Sequence, residues 1–375
     1  MKIAIFGGAF NPVHNEHVNI VLAAKKALGL DKIIVMPAFV SPDKKGVMTA
    51  RAKDRLKMCR LAFEKYEGVE VSDYEIKRGG ISYSYLTCRH FKKLYPDDEL
   101  YFIIGADQLK NFSSWKEPKE ILKCVTLAVC ARENAEELKA ELKKFTAQFK
   151  SDVVSFGYVG KAVSSTKIRT LAALGEDFSN YVPNAVKSHI CGGELYYLPE
   201  LAGVKKLLTP ERWRHTVGVA VTATGNCRRL RVFEIDAITA AALHDCAKYL
   251  GSASPELAGF KCPPNVPPPV VHQFGGAYVA EHTFGVKDEG VLNAIRYHTS
   301  GRENMGDIEK LIFLSDILEE GRDFDGVEKL RKLFKGDINN CLIAALEGQI
   351  KHIEEAGGSV YPLSRRALEY LKENL

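Results

Sequence analysis

Two groups of histidines carry the chemistry this sequence could perform. The first lies in the stretch Gly7-Gly8-Ala9-Phe10-Asn11-Pro12-Val13-His14-Asn15-Glu16-His17, where two imidazoles stand three residues apart. Residues at i and i+3 of a helix share a face, so His14 and His17 can donate to one phosphate. The glycines before them let the backbone come close to a ligand. A helix N-terminus at this point would add unpaired N–H groups and positive potential, which suits a nucleoside triphosphate. The second group is His215, the adjacent pair His244-Asp245, His272, His298 and Asp316. Adjacent helical residues point different ways, so His244-Asp245 can serve two metals, the carboxylate bridging while the imidazole binds one. Nitrogen and oxygen donors without thiolate suit iron, manganese or zinc in a hydrolytic centre. A single helix-borne histidine is most often a core or surface residue; their recurrence on successive helices is what points to metal.

The first group needs a strand before it and a helix after it. Lys2-Ile3-Ala4-Ile5-Phe6 has the length and β-branched content of a buried strand, and Val18, Val21, Leu22 and Leu28 follow at helical spacing, closed by Gly29. Further strand-like runs fall at 33–37, 69–72, 100–104, 125–130 and 153–156, with helical patterns at 49–63, 84–94 and 135–149. This alternation implies an α/β doubly wound parallel sheet, which binds ligands beyond the carboxyl ends of its strands where strand order reverses. Gly105-Ala106-Asp107, the 41–45 loop and Arg132 all fall just past strand ends. In Val163-Ser164-Ser165-Thr166-Lys167-Ile168-Arg169, hydroxyls open a helix and Gly175 follows its end. Such hydroxyls are common N-caps; with Arg169 they could equally hold a triphosphate.

From about Leu198 the strand signals vanish, and helical patterns run at 213–223, 235–250, 278–284, 291–298, 308–318, 338–353 and 367–371. The boundary falls near 192–203, which gives an α/β domain over 1–195 and an all-α domain over 199–375. The proline-rich stretch 263–269 reads as a long loop inside the helical domain, because ligand candidates flank it.

The totals agree with two domains in 375 residues. Hydrophobic residues at 46% and charged residues at 26% describe an ordinary soluble globular protein, and a formal charge of +5 favours small anionic ligands over a nucleic-acid face. No apolar run approaches the ~20 residues of a membrane span, and the start of the chain is no signal peptide. Nine cysteines without a CxxC pair read as reduced, mostly buried thiols in a cytoplasmic protein, burial being the first expectation for each.

The turn Gly7–His17, the segment Ile104-Gly105-Ala106-Asp107-Gln108-Leu109 and the run Ser164–Arg169 together resemble bacterial nicotinate-nucleotide adenylyltransferase, a family with the HxxH signature. The resemblance spans roughly residues 1–195. It implies transfer of adenylate from ATP to nicotinate mononucleotide, giving deamido-NAD and pyrophosphate, with Mg²⁺ bridging phosphate oxygens. By that resemblance His14 and His17 steady charge on the reacting phosphates, within a turn whose Gly7, Gly8 and Phe10 border the substrate. Ser165, Thr166 and Arg169 hold the departing pyrophosphate, and Gly105 and Asp107 contact adenosine. Lys44 and Arg132 are candidates for the mononucleotide phosphate, Lys45 being an equal reading of its loop. Trp115 stacks on the pyridine ring, with Tyr83 and Ser84 near its carboxylate. Where many relatives carry Asp two residues after Ser84, this chain has Leu86, which leaves nicotinamide mononucleotide open as an alternative acceptor.

The second half resembles HD-domain metal phosphohydrolases, in the branch that splits diadenosine tetraphosphate into two ADP. The matching segments are Arg214-His215-Thr216, Leu243-His244-Asp245-Cys246-Ala247-Lys248, Ala294–Gly301 and Leu314–Glu319. The resemblance implies a dinuclear divalent centre on His215, His244, Asp245, His272, His298 and Asp316, iron first and manganese or zinc as alternatives. Lys248 would steady developing charge, and Arg296 and Arg322 read as solvent-facing before they read as phosphate contacts. The partners implied are ATP, nicotinate mononucleotide and diadenosine tetraphosphate; a homo-oligomer is allowed, and nucleic acid and membrane are not expected. A different nucleotide phosphohydrolase and a regulatory nucleotide-binding module are the competing readings of this half.

Overall fold

Apolar runs ending in glycine become the central strands of a single sheet. The structure, a computed structural model, describes residues 1–41, 46–131, 135–158, 160 and 163–374. It divides into two compact units, the first comprising Met1–Lys45, Thr49–Ile168 and Phe178–Leu195, the second Gly46–Met48, Arg169–Asp177 and Tyr196–Leu375.

In the first unit the elements run β1 (Lys2–Gly8), α1 (Asn15–Leu28), β2 (Lys32–Pro37), α2 (Ala52–Phe63), β3 (Val69–Val71), α3 (Tyr74–Arg78), α4 (Ser84–Leu94), β4 (Glu99–Gly105), α5 (Ala106–Lys110), α6 (Pro118–Leu122), β5 (Thr126–Ala131), α7 (Ala135–Phe149) and β6 (Val153–Gly157). They are followed by α8 (Ser165–Ala173) and α9 (Asn184–Gly192), the end of α8 belonging to the second unit. The six strands are parallel in the order β3-β2-β1-β4-β5-β6. Strand order therefore reverses between β1 and β4, whose carboxyl ends are Gly7-Gly8 and Gly105. Ile3, Ile5, Ile34, Phe102, Ile104, Leu127 and Val129 build one buried face of the sheet. These strands are apolar on both sides because helices cover both faces.

The second unit contains α10 (Pro210–Cys227), α11 (Glu234–Leu243), α12 (Val271–His282), α13 (Glu289–Arg296), α14 (Asp307–Leu318), α15 (Val327–Lys335), α16 (Ile338–Glu355) and α17 (Pro362–Glu373). Its core gathers Val219, Ala220, Ile238, Ala241, Leu292, Ile295, Leu311, Phe313, Leu342 and Leu346. Among the described residues no helix is long and apolar enough to cross a membrane.

Three differences from the sequence reading have physical causes. The helix expected over 235–250 stops at Leu243, and residues 244–249 continue as tight turns, with Cys246 N donating to Leu243 O and Lys248 N to Asp245 O. Helix α12 begins at Val271 rather than near Tyr278. Gly275-Gly276 argues against a helix by propensity, but a Cβ at Gly276 would stand 3.2 Å from His244 O, so this close approach selects glycine there. Burial of every thiol does not hold, because Cys191 and Cys262 are exposed.

Candidate active sites

In the first unit, strand β1 delivers the Gly–His turn to the point where strand order reverses. Gly7 and Gly8 are crowded by aromatic rings, since a Cβ on Gly7 would come 3.3 Å from Phe102 and one on Gly8 3.2 Å from Phe10. Cβ space at Gly105 on the neighbouring strand is open. Phe10, in the left-handed region at φ 45°, is buried against Phe6 and His17. Its ring therefore shapes the turn from within.

His14 stands at the N-cap of α1 in extended conformation and His17 one turn on, their rings stacked with centroids 3.7 Å apart. The His14 backbone N–H donates to His17 Nδ1 at 3.2 Å. A neutral His17 must therefore carry its proton on Nε2. Ser165 Oγ donates to Pro12 O at 2.9 Å, so the start of α8 lies against the same turn. Thr166 follows in the first turn of α8, and Asp107 opens α5 beside Gly105, whose N–H is met by Gln108 Oε1 at 3.2 Å.

Trp115 packs against Phe102 and Phe112, half-buried rather than free. Lys116 Nζ sits 4.4 Å from the centre of the Tyr83 ring, which brings the Tyr83-Ser84 start of α4 beside the tryptophan loop. Lys44, Lys45 and Arg132 lie outside the described residues. Arg169 is placed in the second unit, where its guanidinium makes a bidentate pair with Glu234, Nη2 donating to Oε1 at 2.7 Å and Nε to Oε2 at 3.2 Å, both side chains buried.

One residue of this site was invisible to sequence reasoning. Arg55 on α2 is buried and donates to the carbonyls of Ala9, Ala38, Phe39 and Ala50 at 2.5–3.2 Å. It therefore clamps the backbone of the Gly–His turn to the end of β2. An arginine in a helical pattern reads as solvent-facing, and nothing in its spacing signals otherwise.

The second unit assembles the other histidine group. His215 comes from α10, His244 and Asp245 from the turns after α11, His272 from the first turn of α12, His298 from just past α13, and Asp316 from α14. Ligand atoms of His215, His244 and Asp316 lie within 4.8 Å of one another, as do those of His244, Asp245 and His298. His272 joins the second set, its Nε2 3.2 Å from both His298 Nε2 and Asp245 Oδ1. His244 is thus common to two triads. The tight turns after α11 let His244 and Asp245 converge, with His244 Nε2 and Asp245 Oδ2 3.5 Å apart.

This donor set fits divalent ions. His244 and His298 give Nδ1–H to the carbonyls of Ala241 and Ile295 at 2.7 Å, which leaves Nε2 as the inward lone pair. His244 Nε2 is buried and makes no hydrogen bond, as a metal ligand would in the absence of metal. Burial pushes the His272 imidazole down to about 4, keeping it neutral near pH 7. Burial alone would raise both carboxyls, but His244, His272 and His298 hold Asp245 well below the usual carboxylate range, and His215, His244 and His298 do the same for Asp316. Around the cluster stand Lys248, 3.1 Å from His272 Nε2, Arg212, 3.0 Å from Asp245 Oδ2, and Arg322, 2.7 Å from Asp316 Oδ1. Arg212, missed from sequence, is one helical turn before His215, and that spacing could have found it. Arg296 instead engages Asn293 and Glu289 on its own helix.

Fold and clusters define the class: a nucleotidyltransferase-type α/β unit with an HD-type metal phosphohydrolase in one enzyme. The cytidylyltransferase-like family matches residues 5–171 and the HD domain family residues 212–338. A Mycoplasma genitalium protein named as a probable nicotinate-nucleotide adenylyltransferase/Ap4A hydrolase is 30% identical over 361 residues, 92% of this chain and 97% of its own. The chain belongs to this family, in which the two domains follow one another in a single polypeptide. A Clostridium tetani protein named as a probable nicotinate-nucleotide adenylyltransferase is 37% identical over 184 residues, 48% of this chain and 92% of its own. The solved structure of a predicted HD superfamily hydrolase involved in NAD metabolism, from Clostridium acetobutylicum, is 30% identical with a TM-score of 0.42, covering 47% of this chain and 96% of that one.

Proposed function

We propose that this cytoplasmic enzyme uses residues 1–195 to transfer adenylate from ATP to nicotinate mononucleotide and residues 199–375 to hydrolyse diadenosine tetraphosphate to two ADP. The observation that carries the first reading is the stacked His14–His17 pair at the reversal of strand order, with Ser165 hydrogen-bonded into the same turn. A phosphate oxygen of the mononucleotide attacks the α-phosphorus of ATP in line, a new P–O bond forms, and the bond to the β-phosphate breaks to release pyrophosphate. No side-chain nucleophile is needed; positioning and charge stabilisation do the work. His17 Nε2–H donates to a phosphate oxygen on which charge develops, while the turn and the start of α8 hold the remaining phosphates. Mg²⁺ enters with the nucleotide.

The second reading rests on the two triads sharing His244. His215, His244 and Asp316 would hold one ion, and His272 and His298 the other, with the Asp245 carboxylate able to serve both; the nitrogen–oxygen set suits iron, manganese or zinc. When bound, such ions supply Lewis acidity to phosphate oxygens and acidify the attacking water. Water adds at one of the two inner phosphorus atoms and the bond between the second and third phosphates breaks, giving ADP on each side. Lys248, Arg212 and Arg322 ring the cluster and are placed to meet phosphate charge.

The test is a pair of assays on the purified full-length protein, with metal content measured on the same sample. Expected are pyrophosphate release that requires ATP, Mg²⁺ and nicotinate mononucleotide, and chelator-sensitive ADP formation from diadenosine tetraphosphate. Faster turnover with nicotinamide mononucleotide would reassign the acceptor, and Leu86 is the position to exchange first.

A further inference from the structure

We propose that Glu319 is a positioning residue for the metal centre, acting through His215. The inference rests on reading the histidine–aspartate cluster as a metal site and names the group that fixes one ligand in place.

The ligand histidines solve one orientation problem in two ways. His244 and His298 lie just beyond the ends of α11 and α13, where the last carbonyls of a helix have no partner within it. Each ring turns back on its own chain, His244 Nδ1 to Ala241 O and His298 Nδ1 to Ile295 O. His215 stands inside α10, where the carbonyls three and four residues back already serve the helix. Its Nδ1 needs an acceptor from elsewhere, and Glu319 Oε1 supplies it at 3.1 Å. The opposite nitrogen, Nε2, faces Asp316 Oδ1 at 2.9 Å, so the imidazole stands between Glu319 and the cluster. Glu319 is therefore outside the ligand set.

Both its carboxylate and its backbone carbonyl are held. Gly321 N donates to Oε2 at 2.6 Å, and Arg331 of α15 donates to the Glu319 carbonyl at 2.7 Å. Arg322 Nε lies 3.9 Å from Oε1. The seat itself is cut into α10: Gly218, one turn after His215, would place a Cβ 2.4 Å from Glu319 Oε2. A glycine inside a helix is less favourable than alanine, and here its missing side chain is the room the carboxylate occupies. A carboxylate on the outer nitrogen of a ligating histidine fixes the Nδ1–H tautomer, keeps the Nε2 lone pair inward and strengthens it as a donor. Asp316 and Glu319, three residues apart at the end of α14, thus divide the work between ligating and orienting.

The experiment titrates Mn²⁺ into metal-stripped full-length protein, reading free Mn²⁺ by electron paramagnetic resonance. Glu319→Ala is expected to weaken binding about ten- to a hundredfold. Glu319→Gln should lose less, because its amide oxygen still accepts from Nδ1–H; a loss as large as that of Glu319→Ala would overturn the orienting role. In a His215→Ala background, Glu319→Ala should add nothing, and an additional loss there would mean that Glu319 acts by another route. Gly218→Ala, which crowds the carboxylate while keeping both side chains, should weaken binding in the same direction, and it decides the matter if Glu319→Ala does not fold by circular dichroism. Wild-type affinity in folded Glu319→Ala or in Gly218→Ala overturns the proposal. A stripped wild-type protein that takes up no Mn²⁺ removes the metal-centre reading and the inference with it.

Discussion

With Nδ1–H committed to Ala241 O, His244 has one Nε2 lone pair to offer and can ligate one ion, so its loss should empty that ion's position. Residues that merely support a ligand are worth about ten- to a hundredfold in affinity or activity; removing a ligand itself should exceed that. His244→Ala is expected to lose its metal and to hydrolyse diadenosine tetraphosphate more than about a hundredfold more slowly, measured by metal analysis and ADP release. The role proposed for His17 is of a different kind. Its Nδ1 is occupied by the His14 N–H, so only Nε2–H can reach a phosphate. Losing one preorganised donor to developing charge typically costs about 3–4 kcal/mol. His17→Ala should therefore slow adenylyl transfer by about two to three orders of magnitude with ATP saturating, and a rate within threefold of wild type would remove His17 from the phosphate site.

At the scale of elements, helix α12 positions two chemistries with one turn. His272 faces the cluster, while the fully buried Gln273 accepts from the backbone N–H groups of Thr299 and Ser300 at 3.2 and 3.1 Å and donates to Ser300 Oγ at 2.9 Å. These bonds fix the turn that carries His298. Gln273→Leu leaves buried N–H groups without an acceptor, at about 1–3 kcal/mol each. The expected result is a lower unfolding midpoint together with weaker metal binding. Wild-type metal affinity in this variant would show that the turn holds itself. Such bracing is where sequence reading ends. The strands, helices α4 and α7 and all six ligand candidates were legible, because period, β-branched content and residue type carry them. The start of α12 was not, because the Gly275-Gly276 pair answers to the nearby His244 carbonyl and the Ala247 side chain rather than to local propensity. Helix α15 was missed although Val327, Leu330 and Phe334 repeat at helical spacing, while α3, α5 and α6 are too short to show a period. Arg55 and Gln273 look like surface residues until the chain folds around them.

For the molecule as a whole, the two candidate sites draw on separate residues and are expected to hold their cations by different physics. The turn of His14 and His17 and the start of α8 belong to the first compact unit, and every ligand of the histidine–aspartate cluster to the second. In the first, the cation is expected to arrive with the triphosphate, since Mg²⁺ keeps much of its water shell and is shared with substrate oxygens. In the second, buried imidazoles and ionised carboxylates converge from α10, α12, α14 and the ends of α11 and α13, which favours a caged ion of higher affinity. Stripping with a strong chelator, followed by dialysis and assay in Mg²⁺ alone, should therefore separate the activities. Adenylyl transfer is expected at the untreated rate, whereas ADP release from diadenosine tetraphosphate should stay low until iron or manganese is returned. A parallel loss of both would mean that the first unit also depends on a tightly held metal. Undiminished hydrolysis after verified stripping would mean that the six convergent side chains do something other than hold one.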